Sequence, residues 1–265
     1  MAVIVSAVLY HHYSFLALLL LIGIGGLIEF YNIVFGGRLG LPQWIFILAG
    51  CLLILSGSNV VKFSFNILMM FAMSMLFALG AIMTLLSKQR SWKQIVFLMG
   101  GILYIALPLA LFYSSSFFPV RHACQSMYRP YWALNIFVLI WSSDTFAYLA
   151  GRAFGRRKLF ESISPKKTWE GFIGGAILTI AISFLLSYLW EIPYVSNIAV
   201  ALCTVVFGTL GDLVESMLKR EYNIKDSGNI LPGHGGVLDR FDALLISLPF
   251  TTSCYTFMWY CYYGY

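Results

Sequence analysis

The chain has 265 residues, of which 60% are hydrophobic and only 11% charged, with a formal net charge of +6. A soluble domain is nearer half apolar and a quarter charged, so a mean hydropathy of +0.83 excludes an ordinary water-soluble domain. In so apolar a chain the positive charge belongs in loops held at anionic lipid headgroups, and no nucleic-acid partner is expected; five cysteines without a CxxC pair indicate neither a disulfide framework nor a zinc site.

Residues 1–10, MAVIVSAVLY, are too short to cross a hydrocarbon core about 30 Å thick. A half-helix, an interfacial segment and the end of a shortened first span all remain open for them. No cationic region or cleavage site marks a signal peptide, so none is expected. Long apolar runs then recur near 14–35, 43–60, 64–87, 94–117, 131–151, 169–190, 196–218 and 240–262, each of the length that a bilayer-crossing helix needs. The expected fold is all-α, a polytopic integral membrane protein with eight or nine transmembrane helices. Residues 1–265 are expected to form a single membrane-embedded domain.

Chain parity places the segments near 36–42, 88–93, 152–168 and 219–239 on one side of the bilayer. With Arg240 at the border they hold 14 of the 17 cations, and the other side keeps Lys62, Arg121 and Arg129. Such asymmetry predicts that the basic side is cytoplasmic.

Acids inside spans are costly and mark functional or paired interior positions. Glu29 in IEFYN, Asp144 in WSSDTFAYLAGR, and Asp212 with Glu215 in GTLGDLVESMLKR all approach the basic side. On a helix, Asp212, Glu215, Ser216 and Lys219 fall at i, i+3, i+4 and i+7, one polar stripe. A snorkelling helix end with internal ion pairs would also produce that stripe. Asp239 and Asp242 repeat the i, i+3 spacing at the start of the last span, so two carboxylate-bearing helix ends flank one loop. Gathered carboxylates repel unless a cation joins them, and oxygen ligands of this kind suit Mg²⁺.

The loop itself, EYNIKDSGNILPGHGG, supplies glycines that let backbone N–H groups approach an anion, at Gly233, Gly235 and Gly236. Lys219, Arg220, Lys225 and Arg240 can neutralise phosphate oxygens. His234 in such a turn reads first as a local hydrogen-bonding residue. Upstream, SPKKTWEG places Lys166 and Lys167 after Pro165, with Thr168 as the N-cap of the next helix. No GxxxxGK[ST] occurs, which argues against an ATP-hydrolysing P-loop. Together these features predict an acid-lined, cation-rimmed pocket suited to phosphoryl or nucleotidyl transfer.

The stretch SMLKREYNIKDSGNILPGHGGVLDRFD, Ser216 to Asp242, closely resembles the signature of the phosphatidate cytidylyltransferases, the CDP-diacylglycerol synthases. Its thirteen constrained positions are met by Ser216, Lys219, Arg220, Lys225, Asp226, Gly228, Leu231, His234, Gly235, Gly236, Asp239, Arg240 and Asp242. DTFAYLAGRAFGRRKLFESISPKKTWEG and EFYN are similar to two further blocks of that family, so the resemblance runs from about Glu29 onward. It implies a single catalytic domain whose substrates are CTP and phosphatidic acid, in the bacterial inner membrane with its site on the cytoplasmic face. It also implies Mg²⁺, with a second cation open, held by Asp212 and Asp239, with Asp144 as a further metal candidate. Catalytic roles would fall to Asp212, Asp239, Lys219, Arg220 and Asp226. Substrate binding would fall to Lys166, Lys167, Ser216, Lys225, His234, Gly235, Gly236 and Arg240. A proton- or cation-coupled transporter and a polyprenol-type lipid kinase are the rival readings. The small-residue face GFIGGAILT leaves a homodimer open beside packing within one chain.

Overall fold

A computed structural model describes the chain except for positions 38, 58–73, 83–91, 120–125, 229–234 and 264–265. His234 and most of the expected 64–87 span lie outside the described residues.

Helix α1 (Ala2–Tyr10) is a separate nine-residue element. His11 is extended, with φ −162° and ψ 155°, and it breaks the chain before α2 (His12–Phe35). The break is held from both sides. The His11 Nδ1 accepts from the Tyr13 N–H at 3.3 Å, and the Ser14 hydroxyl oxygen accepts from the His11 N–H at 3.1 Å. At about 1.5 Å per residue α1 is too short to span a bilayer. Helix α2 stops at Gly36, whose φ of +73° is the left-handed cap that glycine adopts without a Cβ penalty.

Helix α3 (Leu41–Ser56) follows, then a helical stretch at 74–82 and the long helix α4 (Trp92–Ser115). A π-helical turn at Ile102–Ala106 lies inside α4. It comes just before Pro108, which lacks the N–H that the regular ladder needs. A two-stranded antiparallel hairpin closes this part, with β1 (Phe117–Pro119) opposite β2 (Ser126–Tyr128). These elements form the first of two compact units, Met1–Arg129 with Asp226–Leu238. Phe15, Leu19, Leu27, Tyr31, Phe46, Ile54, Ile102, Ile105, Leu109 and Phe112 fill its core.

The second unit comprises Pro130–Lys225 and Asp239–Tyr265. It holds α5 (Pro130–Phe154), the hairpin β3 (Lys158–Phe160) with β4 (Ser164–Thr168), α6 (Trp169–Trp190), α7 (Tyr194–Glu221) and nearly all of α8 (Leu238–Tyr263). Helices α5 and α6 approach closely because small residues face each other. A β-carbon at Gly175 would lie 2.9 Å from the Cβ of Ala147, and one at Gly174 2.5 Å from the Cβ of Ala150. A buried amide pair ties three helices together: the Asn135 side-chain N–H donates to Asn197 Oδ1 at 2.8 Å, and Asn197 donates to the Ser183 carbonyl and the Ser187 hydroxyl. In an apolar surround polar groups are expected to find partners inside the protein, and here Asn135 Oδ1 is the one amide oxygen of the pair left without one among the described residues.

Five of these helices, α2, α4, α5, α6 and α7, are long and apolar enough to cross a membrane. The chain is an all-α polytopic membrane protein, with the two small hairpins added between helices. Every expected span except 64–87 coincides with a described helix. Helix α3, at 16 residues, is shorter than a typical span, and α8 is diluted by Thr, Ser and Tyr and by Pro249.

Candidate active site

In the second unit the last three turns of α7 carry the polar stripe expected from the sequence. Ser216 Oγ donates to Asp212 Oδ1 at 3.3 Å, and Lys219 Nζ donates to Glu215 Oε2 at 2.8 Å. Helix α8 begins at Leu238, which puts Asp239 in its first turn and Asp242 three residues further on. Asp239 there meets α7, because Lys219 Nζ also binds Asp239 Oδ1 at 2.7 Å. One ammonium group thus bridges two helices through two carboxylates. Its side chain is 16% exposed, and those of Glu215 and Asp239 are 2% and 12% exposed.

A second pair forms beside it. The hairpin β3–β4 ends at Thr168, whose hydroxyl oxygen accepts from the Gly171 N–H at 3.2 Å and caps α6. Glu170, in the first turn of α6, accepts from the backbone N–H groups of Arg156 and Arg157, which fastens GRRK to the helix start. This sets Lys167, the residue before the cap, against α7. Its Nζ lies 2.6 Å from Asp212 Oδ2 and donates to the Thr209 carbonyl at 3.4 Å. The pair is more open than the first, with side chains 26% and 39% exposed.

Asp212, Lys166 and Lys167 line a cavity of about 460 Å³ together with Asp144, Tyr148, Arg152 and Thr209. Asp144, Asp212 and Asp242 are close enough to repel one another, as are Glu215 and Asp242. Five carboxylates from three helices therefore share two lysines. The buried Glu215 Oε1 has no hydrogen-bond partner, an orphan acceptor of the kind that calls for an explanation.

Among the described residues no three acidic, histidine or cysteine side chains converge as a ready-made metal site. Lysine ammonium groups sit on Asp212, Glu215 and Asp239 instead. The donor set is nevertheless all oxygen, with an excess of acids over lysines and one unpartnered buried oxygen. It fits a hard divalent cation chemically.

The remaining expected residues fall elsewhere. Arg220, Lys225 and Arg240 are exposed. Asp226, Gly235 and Gly236 belong to the first unit, where Gly235 has φ +80°, and His234 lies outside the described residues. Three residues of the site were not singled out from the sequence: Tyr148, Arg152 and Thr209. Asp144, Tyr148 and Arg152 are spaced i, i+4, i+8, a helical face that could have been read directly. Thr209 leaves no such signal.

The family model described as the cytidylyltransferase family matches residues 1–258. Proteins named phosphatidate cytidylyltransferase are similar to parts of the chain. The one from Bacillus subtilis (strain 168) is 52% identical over 115 residues, 43% of this chain and 43% of its own length. That of Haemophilus influenzae is 44% identical over 131 residues, covering 47% and 46%. That of Staphylococcus haemolyticus is 39% identical over 171 residues, covering 63% and 61%. The chain thus spans about half the length of the relatives it matches.

Proposed function

The chain belongs to the cytidylyltransferase family, and from that premise we propose that it is a phosphatidate cytidylyltransferase. CTP and phosphatidic acid give CDP-diacylglycerol and pyrophosphate in phospholipid biosynthesis, at the cytoplasmic face of a bacterial inner membrane. One observation carries the reading: the Ser216–Asp242 signature joins the helix ends on which Lys219, Glu215 and Asp239 form their cluster.

In the reaction an oxygen of the lipid phosphate bonds to the α-phosphorus of CTP. The bond from that phosphorus to the α,β-bridging oxygen breaks, and pyrophosphate leaves with the electron pair. The nucleophile is already anionic, so no strong general base is needed. The protein must bring two anions together and hold them in line.

Lys166 and Lys167 at the cavity would bind phosphate oxygens of the triphosphate or of the lipid headgroup, with Arg152 on the same wall. Arg220, Lys225 and Arg240 would add charge, Asp242 orienting Arg240 and Asp226 acting beside Lys225. Ser216, whose hydroxyl donates to Asp212, would join the substrate-binding residues. Substrate binding is proposed as well for His234, Gly235 and Gly236. Asp212, Asp239 and Asp144 are the residues that would hold Mg²⁺, and Glu215 offers a further oxygen to it or to a second cation. When bound, the ion neutralises phosphate oxygens without proton transfer. The acyl chains remain in the bilayer, and residues 1–265 act as one catalytic domain.

The test is turnover by the purified chain in detergent with phosphatidic acid, Mg²⁺ and CTP labelled at the α- or the γ-phosphate. Label from the α-position in a liponucleotide is the expected result. γ-Label in a lipid monophosphate would assign a kinase instead, and no turnover with either would favour cation transport.

A further inference from the structure

Glu29 is an acid in the apolar helix α2, only 2% exposed, and the chemistry above does not use it. Its carboxylate is filled by donors from one distant segment. Ser227 Oγ donates to Oε2 at 2.9 Å, the Val237 N–H to Oε1 at 2.8 Å, and the Leu238 N–H to Oε2 at 2.9 Å. These donors sit at the two feet of the signature loop, and all of them lie within the first unit.

The glycines of the motif fit around this carboxylate. A β-carbon at Gly228 would lie 2.6 Å from Glu29 Oε1, and one at Gly236 would lie 2.5 Å from Oε2. One turn earlier on α2, a β-carbon at Gly25 would come 2.9 Å from Val237 Cγ2. The same face of α2 therefore accepts the exit of the loop by shape and by hydrogen bonding. Leu238 is the first residue of α8, and its N–H is one of the donors that a helix start leaves without an internal partner. A carboxylate there also complements the helix dipole.

We infer that Glu29 is a positioning residue that clamps both feet of the 226–238 loop and sets the start of α8, the helix whose next residue is Asp239. It touches no substrate in this role. Resting on the function proposed above, the clamp holds the loop for the phosphates of CTP. The lack of a side chain at Gly228 and Gly236 is then explained by the Glu29 carboxylate packed against them.

Hydrogen exchange and kinetics on the full chain in detergent test this together. In Glu29→Gln the amides of 226–228 and 235–240 should exchange at least about tenfold faster, the factor carried by one lost hydrogen bond to a charged group, while those of 12–26 keep the wild-type rate. The KM for CTP should rise about as much, with a smaller change in kcat. A general structural defect would instead lower kcat through lost folded enzyme and leave KM alone. Gly228→Ala keeps the carboxylate but crowds it, and should give the same local pattern. Unchanged exchange at 226–228 and 235–240 in both variants, faster exchange spread over α2, or an unchanged KM in active variants would each overturn the clamp. If the wild-type chain makes no liponucleotide, the proposed function fails, and the exchange pattern still decides the role of Glu29.

Discussion

Glu29 and Glu215 are both acids within helices apolar enough to cross a membrane, 2% and 1% exposed, and their surroundings are opposite. Glu29 receives three neutral donors, so both of its oxygens are occupied. Glu215 spends one oxygen on Lys219, leaves the other without a partner, and faces the carboxylate of Asp242. Burying an acid in an apolar segment is expensive either way. In the first unit that cost is offset inside the fold, which makes Glu29 a clamp. In the second unit it is left partly open, which suits a site whose charge balance is completed by a ligand.

The strongest way to break the comparison is to remove carboxylates on the open side. Asp212→Ala and Asp239→Ala should each lower liponucleotide synthesis by about a thousandfold, the scale of lost electrostatic stabilisation, while the protein still elutes as a folded, monodisperse species. Near-normal activity in either variant would remove that residue from the ion-holding set.

The next effect is on stability and contrasts the two lysines. Lys219→Met leaves Glu215 and Asp239 without their shared cation in a site 2% and 12% exposed. Breaking a buried pair on one side costs about 3–5 kcal/mol, to be read as a loss of denaturation free energy in mixed micelles. Lys167→Met opens a pair whose members are 26% and 39% exposed and should cost less than about 1 kcal/mol. Its larger effect should be a raised KM for an anionic substrate. Equal destabilisation by the two variants would show that burial is not what separates these pairs.

What the sequence made legible follows chain distance. The stripe Asp212–Glu215–Ser216–Lys219 and the Thr168 cap join residues three or four apart, so helical geometry alone exposes them. The Lys219–Asp239 bridge was foreshadowed only as two acid-bearing helix ends flanking one loop. The partners of Glu29 lie 198 to 209 residues away, a pairing that no local period encodes. For the same reason Gly236 read only as part of an anion cradle, and Gly228 only as a small position of the signature, before the carboxylate behind them was visible. The β3–β4 hairpin also went unforeseen, since ISPKK carries no strand alternation and its pairing is irregular between Lys158 and Phe160. Repeated apolar runs, in contrast, announced the membrane helices almost wherever the structure describes the chain.

The smallest expected effect separates scaffold from chemistry within the open site. Thr168 is 8% exposed, caps α6 through Gly171, and also lines the cavity beside Lys167. Thr168→Val keeps the side chain's shape and removes the accepting oxygen, so it should cost about 1 kcal/mol, as a lost N-cap does. Thr168→Ser keeps the oxygen and should cost less. If capping is its whole role, both variants will follow their folded fraction, with the KM for CTP and for phosphatidic acid unchanged. If Thr168→Val instead raises a KM as Lys167→Met does, without loss of denaturation free energy, the hydroxyl belongs to the substrate side of the cavity. Thr168 would then join Asp212 and Lys167 as a group held ready for a ligand, and the contrast with Glu29 would extend to neutral side chains.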